Sequence, residues 1–227
     1  MSTFYALSLQ QDHSHYQLSE EESKHCTKVL RMQVGDRIEL INGRGLHAIT
    51  VLEDAHPKRS VVRIETRHFY EQTPTLHIAM APTKNMDRIE WYLEKATELG
   101  LSKLSFLLCD HSERKQVNME RLQKIAIAAM KQSKRYYLPE IEVLQPLADF
   151  VIKHPKGYFG HCQDGKKIGW SGLAQGFPFL IGPEGDFSAK EIKVLLESGY
   201  QAVEMSSFRL RTETAALLAT TAFLTDL

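Results

Sequence analysis

The residues best placed for chemistry fall in two short loops near the C-terminus. The first is Gly182-Pro-Glu-Gly185, which follows the apolar run Phe179 to Ile181 and precedes Ser188 and Glu191. A continuous apolar run of that length suits a strand buried on both faces, and Ser188 with Glu191 three residues later reads as a capping box that opens a helix. Gly182 and Gly185 permit φ > 0 and close backbone approach by a ligand. The second loop, Ser206-Ser-Phe-Arg-Leu-Arg-Thr-Glu-Thr-Ala215, follows a strand over Gln201 to Met205 and carries two basic residues, Arg209 and Arg211. Ligands of open α/β sheets bind at the carboxyl ends of the strands, so the two loops could share one ligand. Standing alone, Gly-Pro-Glu-Gly reads as a plain turn; the second loop is what makes it a candidate site.

The elements around these loops follow from periodicity. Ile192, Leu195 and Leu196 form the apolar stripe of a helix that Gly199 ends. Thr212 is the expected N-cap of the last helix, whose residues Ala215 to Leu224 are apolar on all sides and therefore buried. Upstream, from Thr75, strand and helix alternate: Leu76 to Ala81, Asp87 to Leu99 with Gly100 as C-cap, Lys103 to Leu108, Met119 to Lys134 capped by Asn118, and Gly157 to His161. That alternation predicts a parallel sheet with helices on its faces. The helix from Met119 turns Leu122, Ile125, Ala126, Ala129 and Met130 inward, and from Arg114 to Arg135 the chain carries seven Lys or Arg against one acid, Glu120. With Tyr136-Tyr137 after it, this face suits RNA phosphates and stacked bases, or is a solvated face ending in a packed tyrosine pair. Residues 140 to 178 are turn-rich and least informative, and Trp170 is expected in the core.

Residues 1 to about 70 read as β. Runs at Thr3 to Leu7, Arg37 to Ile41, Leu46 to Glu53 and Ser60 to Glu65 are β-branched or apolar, and Asn42-Gly43 with Gly45 marks a hairpin. Ser19 and Glu22 form a capping box before a helical stretch. A small β-barrel with one helix is the natural packing. The composition shifts after Glu71-Gln-Thr-Pro74, which places a boundary between a domain over 1–72 and one over 73–227.

Composition narrows the classes. The 227 residues carry 28 basic and 28 acidic side chains, so no global basic field points to nucleic acid and any RNA site must be local. Positions 1–72 hold nine basic and ten acidic residues, although Lys24, Lys28, Arg31 and Arg37 cluster. Three dispersed cysteines argue against a disulfide framework and for a reducing, cytoplasmic setting. Neither a signal segment nor a long apolar run is present, so no membrane partner is expected. There is no G-x-G-x-x-G after a strand, no Walker loop, no G-x-S-x-G elbow and no metal-ligand spacing among the ten histidines.

Gly182-Pro-Glu-Gly185 with Phe187-Ser188, followed by Leu210-Arg-Thr-Glu-Thr-Ala215, resembles the signature of the RsmE family of SPOUT-class RNA methyltransferases. The N-terminal half is similar to that family too, through His25-x-x-x-Val29-Leu-Arg31 and Val34-Gly-Asp36, as are Lys84-x-x-x-Arg88-x-Glu90, Lys95-Ala-Thr-Glu-Leu-Gly100 and Gln132-Ser133-x-Arg135. The resemblance covers the whole chain. It implies an α/β fold, with a C-terminal SPOUT domain whose parallel sheet carries a trefoil knot and an N-terminal PUA-like β-barrel. The activity it implies is transfer of a methyl group from S-adenosylmethionine to N3 of a specific uridine in 16S ribosomal RNA, by a homodimer.

Uracil N3 is an imide N–H that must lose its proton in or before the transition state, and the resulting charge spreads over N3, O2 and O4. A cation there stabilises it as an oxyanion site would. Arg211, and after it Arg209, are the candidates, with Glu213 the candidate base and Glu184 the other nearby carboxylate. Cofactor contacts are expected from Leu180, Ile181, Gly182, Pro183, Glu184 and Gly185 in one loop, and from Met205, Ser206, Leu210, Thr212 and Thr214 in the other. RNA contacts are expected from Lys28, Arg31, Arg88, Gln132 and Arg135. Asp186 and Ser206 stand where many relatives have glycine, which bears on the cofactor contacts at those two positions.

Overall fold

In the computed structural model, residues 1–72, 75–171 and 173–223 are described. The linker expected at 71–74 and the end of the last helix at Leu224 therefore fall partly or wholly outside the described residues. The chain divides into two compact units, Met1–Thr73 with Ile127–Leu138, and Pro74–Ala126 with Pro139–Leu227. The segment Ile127–Leu138 groups with the first unit, which a helix periodic along its whole length gives no sign of.

The first unit contains strands β1 (Thr3–Tyr5), β2 (His15–Gln17), β3 (Arg37–Ile41), β4 (Leu46–Asp54) and β5 (Val61–Phe69) in the order β1-β3-β4-β5-β2. Burial alternates along β4, as a half-buried strand requires. Both edge strands feed one core: Phe4 of β1 is buried with Ile38, Leu40, Leu52 and Val62, and Tyr16 of β2 packs against the same cluster. β2 escaped the sequence reading because His15 and Gln17 are polar and only three residues pair.

Helix α1 (Glu20–Lys24) runs into one turn of π-helix at His25–Val29, closed by Leu30 N donating to His25 O at 3.0 Å. Only half of the expected capping box forms there. Ser19 Oγ accepts from Glu22 N, but the Glu22 carboxylate turns away to accept from Tyr5 N at 3.1 Å and from Lys131 Nζ at 2.6 Å.

The second unit is a six-stranded parallel sheet in the order β11-β9-β10-β6-β7-β8, made of β6 (His77–Met80), β7 (Lys103–Leu108), β8 (Glu140–Pro146), β9 (Gly157–Gly160), β10 (Phe179–Ile181) and β11 (Tyr200–Val203). Its helices are α2 (Met86–Leu99), α4 (Leu147–Lys153), α5 (Ala189–Glu197) and α6 (Thr212–Ala222), while α3 (Met119–Ser133) spans the division between the units. β8 and α4 were not foreseen, since β8 buries neither face cleanly and carries no period-two pattern. β10 lies in the middle of the sheet with all three residues buried, which explains its unbroken Phe-Leu-Ile. Gly100 closes α2 at φ 106°, a left-handed position where glycine avoids a Cβ clash. α2 and α6 are joined inside the core by the Tyr92 hydroxyl and Thr220 Oγ1, 3.1 Å apart.

Candidate functional site

Three strands end at one place. The loops after β9, β10 and β11, with the start of α6, enclose a cavity of about 690 Å³ whose lining includes His161, Cys162, Gly182, Met205, Phe208 and Arg211. Its size falls within the range of small-molecule pockets, ~300–1,000 Å³.

The loop after β10 is held by its own side chains. Ser188 Oγ accepts from Glu191 N while Glu191 Oε2 accepts from Ser188 N, the full reciprocal cap, worth about 1 kcal/mol. The second Glu191 oxygen accepts from Asp110 N at 2.8 Å. Neither Gly182 nor Gly185 adopts positive φ, contrary to expectation. Space is tight at both positions: a Cβ on Gly182 would sit 3.1 Å from Phe187 N, and one on Gly185 would sit 3.0 Å from His111 Cβ. The left-handed residue is Asp186, at φ 65°. Its carboxylate accepts from Phe187 N and from Cys162 N, each at 2.8 Å, tying the β10 loop to the β9 loop. Two hydrogen bonds thus offset a backbone conformation that costs about 1–2 kcal/mol for a residue with a Cβ.

The loop after β11 runs through Ser206, whose Oγ accepts from Phe208 N at 3.1 Å. Phe208 is 83% exposed. Arg209 and Arg211 are also exposed, and among the described residues neither has a carboxylate within ion-pair distance. Arg211, not Thr212, is the N-cap of α6, without a side-chain cap bond. Thr212 is the first helical residue, is buried, and directs Oγ1 to Gly182 O at 3.4 Å, joining the two loops.

Of the residues expected to hold a cofactor, Ile181, Gly182, Pro183, Glu184, Gly185, Met205, Ser206, Leu210 and Thr212 line the cavity. Leu180 does not: it is fully buried within β10. Thr214 faces a second, smaller cavity of about 350 Å³, together with Asp87, Arg88, Trp91, Arg211 and Glu213. Arg211 is the wall common to both. Glu213, the candidate base, lies off the larger cavity because its place in the first turn of α6 points it at α2, where Oε1 is 3.6 Å from Arg88 Nε. Its Oε2 is buried without a hydrogen-bond partner. Arg88, expected on RNA, is thus drawn to a carboxylate. Glu184 accepts from Lys84 N at 3.0 Å and so anchors its loop.

The remaining RNA candidates lie in the first unit. Lys28, Arg31, Gln132 and Arg135 are exposed, and Arg31 holds φ 55°, unusual for a residue with a long side chain. The tyrosines after α3 are less available than their position suggested, since Tyr136 stacks on Tyr70 with centroids 3.8 Å apart and the Tyr137 hydroxyl donates to Tyr70 O.

The β9 loop, with His161, Cys162, Asp164 and Lys167, was missed as part of the site. The signal was present, an apolar strand ending in the turn Asp164-Gly165, but no cap or apolar stripe follows to mark it as the first half of a strand-loop-helix unit. Burial, then the nearby Lys167 charge, lowers the His161 pKa, so a neutral imidazole faces the cavity. Trp170 stacks on Phe179 at 5.5 Å and gives Nε1–H to Met205 O, a half-buried prop beneath the β11 loop. Among the described residues no group of three or more His, Cys, Asp or Glu could hold a metal ion, and no helix is long and apolar enough to cross a membrane.

Comparison with known proteins agrees with this geometry. A probable rRNA-methyltransferase from Porphyromonas gingivalis superposes with a TM-score of 0.89 at 35% identity, covering 99% of this chain and 98% of that one. A putative methyltransferase from Legionella pneumophila, solved with S-adenosylmethionine bound, superposes at 0.84 with 26% identity over 99% and 97%. A relative in Bacillus subtilis named ribosomal RNA small subunit methyltransferase E is 29% identical, over 91% of this chain and 88% of its own. Residues 18–65 match the RNA methyltransferase PUA domain and residues 71–224 the RNA methyltransferase domain, so this chain belongs to the RNA methyltransferase family.

Proposed function

We propose that this protein methylates N3 of a specific uridine in the 16S RNA of the small ribosomal subunit, using S-adenosylmethionine, and does so in the cytoplasm as a homodimer. The observation that carries the reading is the cavity shared by three strand-end loops with the exposed Arg211 at its rim. The small-subunit names of relatives such as the Bacillus subtilis protein support the substrate, and the Legionella pneumophila complex supports the donor. The trefoil threading implied by the sequence resemblance belongs to the same proposal.

The cavity fits such a donor. Ile181, Met205 and Leu210 offer apolar surface for an adenine ring, and Asp164, Glu184 and Glu204 offer negative charge to a sulfonium and an ammonium. When bound, S-adenosylmethionine supplies a methyl group on a positive sulfur, which retains the electron pair of the broken C–S bond. Arg211 neutralises charge that develops on the uracil oxygens as N3 gives up its proton. Lys28, Arg31, Gln132 and Arg135 hold the RNA backbone. A direct test incubates the protein and S-adenosylmethionine with unmodified small-subunit RNA, free and in particles, and analyses the nucleosides by mass spectrometry. The reading requires 3-methyluridine at a single position; a methyl group on any other atom refutes it.

A further inference from the structure

The cavity described above receives a cofactor, which leaves the smaller one without an occupant. Three of its features point to a ligand. Glu213 is buried with Oε2 unpartnered among the described residues, an arrangement that is costly for a charged group unless something donates to it. Trp91 of α2 is 45% exposed, although large aromatic side chains are usually spent on packing. Arg211 is shared with the cofactor cavity, so whatever occupies the smaller one lies next to the larger. At about 350 Å³ it is near the lower end for ligand pockets, suited to one heterocycle more than to a nucleoside conjugate.

From this geometry we infer that the smaller cavity seats the methyl-accepting base, a planar imide such as uracil, with Trp91 as its stacking surface, Glu213 Oε2 as the acceptor of its N3–H, and Arg88 and Arg211 as donors to its carbonyl oxygens. The inference rests on the uracil-N3 reading and deepens it. Trp91 supplies a sequence-tolerant ring face, as aromatic side chains do for unstacked bases. Specificity comes from Glu213. Uracil presents a donor at N3, whereas cytosine presents a lone pair there, which would face the carboxylate and leave both unpaired. The N3 proton passes to Oε2, and the electron pair it leaves on N3 becomes the nucleophile. Arg88, 3.6 Å from Oε1, holds the carboxylate in place.

The experiment is a ligand-observed NMR titration of the protein with uridine monophosphate and cytidine monophosphate, in the presence and absence of S-adenosylmethionine. Uridine monophosphate should bind saturably and at least tenfold tighter than cytidine monophosphate. Glu213→Gln should abolish that preference. Trp91→Ala, at a position 45% exposed, should weaken uridine monophosphate at least fivefold, and it keeps the test decisive if the buried Glu213 variant unfolds. Equal affinity for both nucleotides, no saturable binding, or unchanged affinity in Trp91→Ala would overturn the inference while cofactor binding stood. Loss of S-adenosylmethionine binding by the wild-type protein would instead refute the donor assignment.

Discussion

One parallel sheet carries two polar clusters, and they differ in almost every respect that matters for chemistry. Among β6, β7 and β8, the Ser105 hydroxyl donates to Glu142 Oε2 at 2.5 Å and accepts from His77 Nε2 at 2.8 Å, while Lys103 Nζ pairs with Glu142 Oε1 at 2.6 Å. The ring of His154 stands 5.2 Å from that of His77, and Phe150 closes the face at 5.6 Å. Serine, histidine and glutamate are in contact there, yet the serine proton already belongs to a carboxylate. Beyond β9, β10 and β11 the side chains are less suggestive, but among the described residues two arginines have no carboxylate within ion-pair distance, a buried glutamate oxygen has no hydrogen-bond partner and two cavities meet at Arg211. Residue type does not separate packing from function here; satisfaction does. A closed network stabilises the sheet, and an unsatisfied one waits for a ligand.

The sharpest way to break that contrast is at Arg211. Arg211→Ala should keep the circular dichroism spectrum and cofactor affinity while losing methyl transfer by about 10²–10³-fold, the usual cost of removing one charge-stabilising donor. Unchanged turnover would remove Arg211 from the mechanism. The His77 network should answer to pH and leave transfer intact. Burial, then the charges of His154 and Lys103, pushes the His77 pKa down to about 3. Because the folded value lies below the unfolded one of about 6.5, the unfolded chain takes up the proton first. Stability is therefore complete above pH ~6.5 and declines as the pH falls toward 3, by about 1.4 kcal/mol per pH unit. Urea unfolding at pH 7 and pH 4 should show a loss on the order of 3 kcal/mol in the wild-type protein and a flatter profile in His77→Gln. If His77→Gln also stopped methylation, the division between the two clusters would fail.

Asp186→Ala removes two hydrogen bonds yet keeps the left-handed strain, and should lower unfolding free energy by about 2 kcal/mol. Asp186→Gly, which loses the bonds but relieves the strain, should cost less by about 1 kcal/mol. Equal losses would show that strain plays no part at this position. The smallest effect belongs to the first unit: Arg31→Ala should weaken RNA binding a few-fold and reduce the slope of log affinity against log salt by about 1. An unaltered slope would return Arg31 to the solvated surface.

Much of this was readable in the chain. The glycine loop, the Ser188 to Glu191 cap, the α2 stop at Gly100 and the strand-helix alternation are local features, and local features leave local signals. What sequence could not deliver depends on where distant segments meet. Glu213 is four residues from Arg209 along the chain, but the turn of α6 carries it to a different cavity and to Arg88. Nothing in the sequence around Asp186 shows that its carboxylate holds Cys162 N, 24 residues away. The half-formed cap at Ser19 shows the same limit, since Glu22 had better partners in Tyr5 and Lys131.

The site for S-adenosylmethionine proposed among the loops after β9, β10 and β11 is open to titration calorimetry of the purified protein with that cofactor, with NADH as a control. Saturable binding of S-adenosylmethionine alone, weakened by Asp186→Ala, is the predicted result. Failure of the wild-type protein to bind it, with or without the RNA, would contradict the account.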